Sequence, residues 1–179
     1  MVNAAALGTT ADIARDAGAR TAAAWAVLDG VLDPEVPALS LTDLGIVRDV
    51  RAGEKGVDVV LTPTYSGCPA TEVIERSVID ALNAAGLCPV RVTLQRAPAW
   101  TTAWMSEAGR RKLRDYGIAP PGAVDLAQGA PLRFVARRVA CPRCGSIETE
   151  QLSAFGATAC KSLWRCLACR EPFEHFKAI

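Results

Sequence analysis

The sequence is poor in histidine, in net charge and in long apolar runs, and each shortage removes a class of function. Its 179 residues hold one histidine, His175. A Ser-His-Asp hydrolase needs that side chain between a serine and an acid, but His175 lies in a cysteine-rich segment, so it is read as a packing or surface residue. Twenty Lys and Arg face 19 Asp and Glu, which argues against a basic nucleic-acid surface over the whole chain. No stretch reaches the about 18 apolar residues of a membrane span. The opening "MVNAAALGTTADIARDAGAR" has no basic region before an apolar run, so no secretory leader is read. A cytoplasmic protein is expected, with no membrane partner and no internal repeat.

Cysteine is what the chain does have. There are seven, five of them in residues 141–179. In a reducing compartment such a cluster is read as metal ligands rather than disulfides. Charge changes along the chain as well. Residues 1–131 carry 12 basic and 15 acidic side chains, and residues 132–179 carry 8 and 4. The organisation expected is a tail at 1–19, an α/β domain over 20–117, a linker at 118–131 that is rich in Pro, Gly and Ala, and a small second domain over 132–179, where the composition changes.

Within the first domain, residues 13–32 read as a helix with Trp25, Leu28 and Leu32 on one face. Asp33-Pro34 and Pro37 then break it, and "DPEVPALSLTDLG" reads as a shaped loop. Residues 46–62 read as a hairpin, with Val57, Val59 and Leu61 on its buried face. A helix over 69–85 follows, with Val73, Ile74 and Leu82 in its stripe and Gly86 as its stop. "VRVTLQR" alternates as a strand, so the strands at 57–62 and 90–96 are predicted to be parallel with a right-handed crossover. Thr101 or Thr102 caps a further helix, which ends at Gly117. The expected fold class is α/β (α+β): a small mixed sheet with helices packed on it, followed by a small zinc-ribbon β domain.

The C-terminal cysteines carry the strongest motif. Cys141-x2-Cys144 and Cys166-x2-Cys169 are separated by 21 residues. Two such knuckles hold one ion between four thiolates, the pattern of a closed structural zinc ribbon; four thiolates also suit an iron–sulfur centre, and that alternative stays open. A segment this small needs a metal staple. Phe173 and Phe176 are expected beside the site. Cys160 has poor knuckle spacing and reads as an auxiliary thiol able to accept a metal in transit, or as a buried small residue. Arg133, Arg137, Arg138, Arg143, Arg165 and Arg170 keep a nucleic-acid reading alive, but no aromatic stacking stripe accompanies them.

Cys68, in "TYSGCPA", stands where a strand hands over to a helix. The positive end of the helix dipole would keep its thiolate ionised. Packing under the loop is the competing reading. Thr62, Thr64, Tyr65 and Ser66 offer hydroxyls nearby, and Thr62 is a candidate auxiliary. No histidine or lysine adjoins Cys68 in sequence to act as a base, which disfavours a nucleophilic enzyme. Asp43, in "LTDLG", reads as a turn residue able to reach the Cys68 helix end. Cys88 reads as structural.

Taken together, "DPEVPALSLTDLGIVRDV", "VVLTPTYSGCPA", "VRVTLQRAPAWTTAWMSEAGRRKLRDYGIAPP" and "CPRCGS…SAFGATACKSLWRCLACREPF" resemble the PaaD family of the phenylacetyl-CoA epoxidase system. The first three blocks are similar to the wider metal–sulfur cluster biosynthesis family, and "FGATACK" with the ribbon narrows the likeness. The resemblance covers roughly residues 20–179 and implies a non-catalytic accessory protein of phenylacetate catabolism. Its partners would be the oxygenase and reductase components of the epoxidase. The family's hallmark cysteine falls on Cys68 and its hallmark aspartate on Asp43, implying a transient iron or iron–sulfur ligand. One thiolate supplies too few ligands for a cluster, so a homodimer or a client is expected to complete it. A structural component of the epoxidase that handles no metal, and a zinc-ribbon nucleic-acid binder, are the rival readings.

Overall fold

The computed structural model describes residues 10–53, 55–65, 67–122 and 138–178, without the side chains of 10–16. Ser66, Arg133, Arg137, residues 1–9 of the expected tail and residues 123–131 of the expected linker lie outside the described residues.

Helix α1 spans Thr10–Leu28 and so begins inside the segment read as a tail. It buries Ala24 and Leu28 and ends four residues earlier than expected. Asp29 and Gly30 close the last turn on the carbonyls of Trp25 and Val27, at 2.9 and 3.0 Å. Leu32 therefore leaves the helical face. It is exposed and pairs with Ser40 in a single antiparallel bridge that shuts the 33–39 loop.

Strands β1 (Val47–Gly53) and β2 (Gly56–Leu61) form the predicted hairpin, and β3 (Val90–Leu94) lies parallel to β2, giving the order β1-β2-β3. Val57, Val59 and Leu61 face the core as their alternation requires. Helix α2 (Thr71–Ala84) makes the crossover and buries Ile74, Val78 and Leu82. Those positions follow an i, i+4, i+8 ridge, burial of which stabilises by about 1.5–3 kcal/mol per side chain. Val73, assigned to the stripe from sequence, is instead exposed. Gly86 adopts φ 73, which lets its N–H reach Asn83 and that of Leu87 reach Leu82, a Schellman stop.

Thr101 caps a 3-10 turn at Thr102–Trp104, whereas Ser106 caps α3 (Glu107–Tyr116) with a 2.8 Å bond from Gly109 N–H. From α3 the chain passes directly into β4 (Ile118–Ala119), within the segment read as linker. With β5 (Thr149–Ser153), β6 (Lys161–Cys166) and β7 (Pro172–Phe176), it builds a second sheet in the order β4-β7-β6-β5. The ribbon is therefore not tethered loosely, because β4 pairs with β7 through Ile118↔Glu174 and Ala119↔His175.

Phe173 packs with Cys141, Cys166 and Trp164 in the ribbon's own core, as expected. Phe176 does not. It is fully buried in the α/β core, its ring centroid 6.1 Å from that of Trp100. Cys160 belongs to that same core. His175 is buried, edge-on to Trp164, and Cys88 is exposed.

Candidate metal centres

The two knuckles bring Cys141, Cys144, Cys166 and Cys169 together with all four sulfurs within 4.8 Å of one another. Cys141 and Cys169 are 3.8 Å apart, and Cys144 and Cys166 are 3.6 Å apart. Four thiolates at ~2.3 Å from one tetrahedral ion stand ~3.8 Å apart, so the set fits a single ion. The Cys169 N–H donates to Cys166 Sγ at 3.5 Å. That bond, with the Cys144 and Cys169 thiols and the Ala168 N–H, outweighs burial and lowers Cys166 to about 7. Cys169 receives the Glu171 N–H, which lowers it, yet burial and the three neighbouring thiols push it up to about 12. So many sulfurs lose their protons together only when a cation sits among them.

The second candidate site surrounds Cys68. Its thiol is half-buried on the turn ahead of α2 and opens on a cavity of about 10 Å³, room for one water-sized occupant. The walls include Asp33, Glu35, Thr64, Cys68, Cys160 and Phe176. Asp33 Oδ1 accepts the N–H groups of Glu35 and Val36 at 2.9 and 2.8 Å, which fixes the loop carrying both acids. Cys160 arrives from the ribbon, its Sγ 4.0 Å from Glu35 Oε2 and 3.0 Å from Thr158 Oγ1.

This setting runs against the expectation of an ionised Cys68. Burial pushes the thiol up. The Ala70 N–H and the Thr71 hydroxyl pull it down, but Glu35 and Asp33 add to the upward shift and prevail. Helix α2 begins only at Thr71, so Cys68 does not cap it through sulfur; its carbonyl takes the Thr71 hydroxyl at 2.8 Å. The Cys160 thiol is likewise raised, first by burial and against Thr158. Burial raises Glu35 too, with Asp33 adding to it.

Asp43 is not among the residues that line this cavity. Its carboxylate is spent elsewhere, accepting from Lys112 Nζ at 2.6 Å, Ser106 Oγ at 2.9 Å and Ser40 N at 3.3 Å. It anchors the start of α3 to the loop before β1. Thr62 is buried, and its hydroxyl has no hydrogen-bond partner among the described residues, a cost of about 1–3 kcal/mol. It too is absent from the cavity wall, although Pro63 and Thr64 line it. The acids that do face Cys68 went unassigned from sequence. Their signal was the pair flanking Pro34 in "DPEVP", a loop that reads as shaped but whose direction only the fold reveals.

An α/β domain with a thiol and two carboxylates at a small cavity, joined to a ribbon whose four cysteines are spaced for one metal ion, defines a two-part protein. Family models agree with both parts: residues 21–93 match the model described as "Iron-sulfur cluster assembly protein" and residues 128–177 the "PaaD zinc beta ribbon domain". A protein of Escherichia coli K12 assigned to 1,2-phenylacetyl-CoA epoxidase as one of its subunits is 48% identical over 155 residues, covering 87% of this chain and 91% of its own. The chain belongs to the PaaD family. Among solved structures, a DUF59 domain of unknown function from Bacillus anthracis is 29% identical. It covers 56% of this chain and 96% of its own, at a TM-score of 0.52. A conserved hypothetical protein from Thermotoga maritima is 30% identical, with 50% and 89% covered and a TM-score of 0.44.

Proposed function

We propose that this chain is an accessory protein that matures a metal centre of phenylacetyl-CoA epoxidase, either the di-iron site of the oxygenase or the iron–sulfur site of the reductase. Cys68 is the transient ligand of the iron or iron–sulfur cargo, and the ribbon, folded around zinc, docks the client. One observation carries the reading: a reachable thiol faces two carboxylates across a cavity without a histidine or lysine in its wall. That donor set suits a divalent cation. It lacks the histidine or lysine that commonly activates a cysteine nucleophile. The spacing of the four ribbon sulfurs supports one resident ion, and a full set of thiolate ligands leaves no position for a substrate. Lys112 and Ser106 already occupy Asp43, so its part is to position the loop before β1 rather than to bind cargo.

The test is co-expression of the epoxidase oxygenase and reductase with the wild-type chain or with Cys68→Ser, followed by iron analysis of the purified epoxidase. The variant keeps its fold and its zinc, and the epoxidase made with it lacks iron. Full iron content and activity beside Cys68→Ser would sink the proposal and favour a structural component that handles no metal.

A further inference from the structure

We infer that the ribbon completes the cargo site in cis: Cys160 joins Cys68 and Glu35 as the ligands of a single iron(II) ion, with the fourth position open to the client. This rests on the reading of Cys68 as a cargo ligand and extends it to the ligand set and the cargo.

Cys160 lines the same small cavity as Cys68 although it comes from the other domain. Its position is built by the "FGATAC" loop. Gly156 lets the Glu174 carboxylate approach where a Cβ would stand 2.6 Å from its oxygen. Glu174 Oε1 accepts the Ala157 N–H at 2.7 Å, and Oε2 pairs with buried Lys161 at 2.7 Å. Behind the thiol, the Cys160 carbonyl accepts from Lys177 N–H at 2.9 Å, and Phe176 is locked in the α/β core. So much anchoring is more than a loose loop cysteine needs.

The geometry suits one ion. A sulfur and a carboxylate oxygen on a shared tetrahedral ion stand about 3.6 Å apart, against 4.0 Å between Cys160 and Glu35. The three donors do not all lie within 4.8 Å of one another, as the ribbon thiols do, so the ion closes the site by drawing the half-exposed Cys68 side chain inward. Space for one water-sized occupant suits an ion better than a multi-iron cluster. Two thiolates and a carboxylate bind a borderline metal such as iron(II). Each thiol that binds releases its proton to water. Three protein ligands leave one position free, the arrangement of a site that exchanges its fourth ligand. The second chain that a single thiolate would need is replaced by the ribbon.

The experiment loads the full-length, zinc-containing protein with iron(II) anaerobically and counts sulfur neighbours at the iron edge by X-ray absorption, with zinc measured in the same sample. Two sulfurs per iron, one zinc retained and at least a tenfold loss of iron affinity in both Cys160→Ser and Cys68→Ser are expected. The sulfur count needs only the wild type, so it holds even if a Cys160 variant folds poorly. One sulfur, with binding lost in Cys68→Ser alone, overturns the ribbon's part and leaves Cys68 as cargo ligand. Four sulfurs put the iron in the ribbon and overturn the inference. No iron uptake, or uptake indifferent to Cys68→Ser, overturns both this inference and the functional reading beneath it.

Discussion

The ribbon site and the Cys68 cavity use the same sulfur chemistry and differ in closure. In the ribbon, four thiols from two tight knuckles meet within 4.8 Å before any ion is considered. Around Cys68, two thiols and two carboxylates come from three loops, one sulfur is half-buried, and the set is looser. On the proposed reading the first arrangement retains an ion as part of the fold, and the second, with Cys68, Cys160 and Glu35 as its ligands, keeps a fourth position open and can hand its ion on. The difference lies in where the donors sit along the chain. Knuckles hold their cysteines by local turns, whereas the cavity depends on the packing of one domain against the other.

The comparison breaks most visibly at Cys166. Its sulfur is buried between Cys144 and Cys169, so Cys166→Ser removes a ligand from a site whose metal binding is worth roughly 10 kcal/mol or more of folding energy. Loss of zinc and melting of the ribbon are expected. Because Phe176 and Cys160 belong to the α/β core, that domain should also unfold at lower denaturant. Zinc analysis and a denaturant titration check this; an α/β domain of unchanged stability would mean that the two parts are independent.

A smaller effect separates anchor from ligand. Asp43→Asn removes the charge held by Lys112 and Ser106 and should destabilise by roughly 2 kcal/mol, while iron uptake stays at the wild-type level. Burial would raise this carboxyl, but the Lys112, Ser106 and Ser40 hydrogen bonds hold it below the usual range. A depressed folded value contributes stability that is complete above the unfolded value near 3.8 and is lost as pH falls below it. The wild type should therefore lose stability more steeply in acid than Asp43→Asn. Equal acid limbs by denaturant titration, or reduced iron uptake, would contradict the anchoring role.

Sequence spacing revealed the closed site and much of the fold around the open one. Period-two alternation located β2 and β3 and their crossover, and the cysteine knuckles identified the ribbon, since each is a local signal. The choice between Val73 and Val78 on α2 was not legible, because two stripes fit a short helix until the sheet selects one. The proposed open site was legible only in Cys68 and, as an auxiliary, in Cys160. Glu35 and Cys160 are separated by 125 positions, and what joins them is β4 pairing with β7 and Phe176 entering the α/β core. No periodicity encodes that contact. Asp43 drew attention through its turn, while Lys112 and Ser106, which claim its carboxylate, lie 69 and 63 positions away.

The smallest structural change carries the decisive functional test. Cys68→Ser exchanges one atom of a half-buried side chain and leaves the backbone hydrogen bonds of its turn in place. Iron-57 is loaded into the wild type, mixed anaerobically with metal-free epoxidase components and traced by Mössbauer spectroscopy after separation. The iron should move to the epoxidase while the zinc stays with the chain. Cys68→Ser, loaded identically, should deliver none. Iron that remains with the wild type, or that reaches the epoxidase equally well from Cys68→Ser, would contradict the distinction between a closed ribbon and an open, transferring Cys68 site.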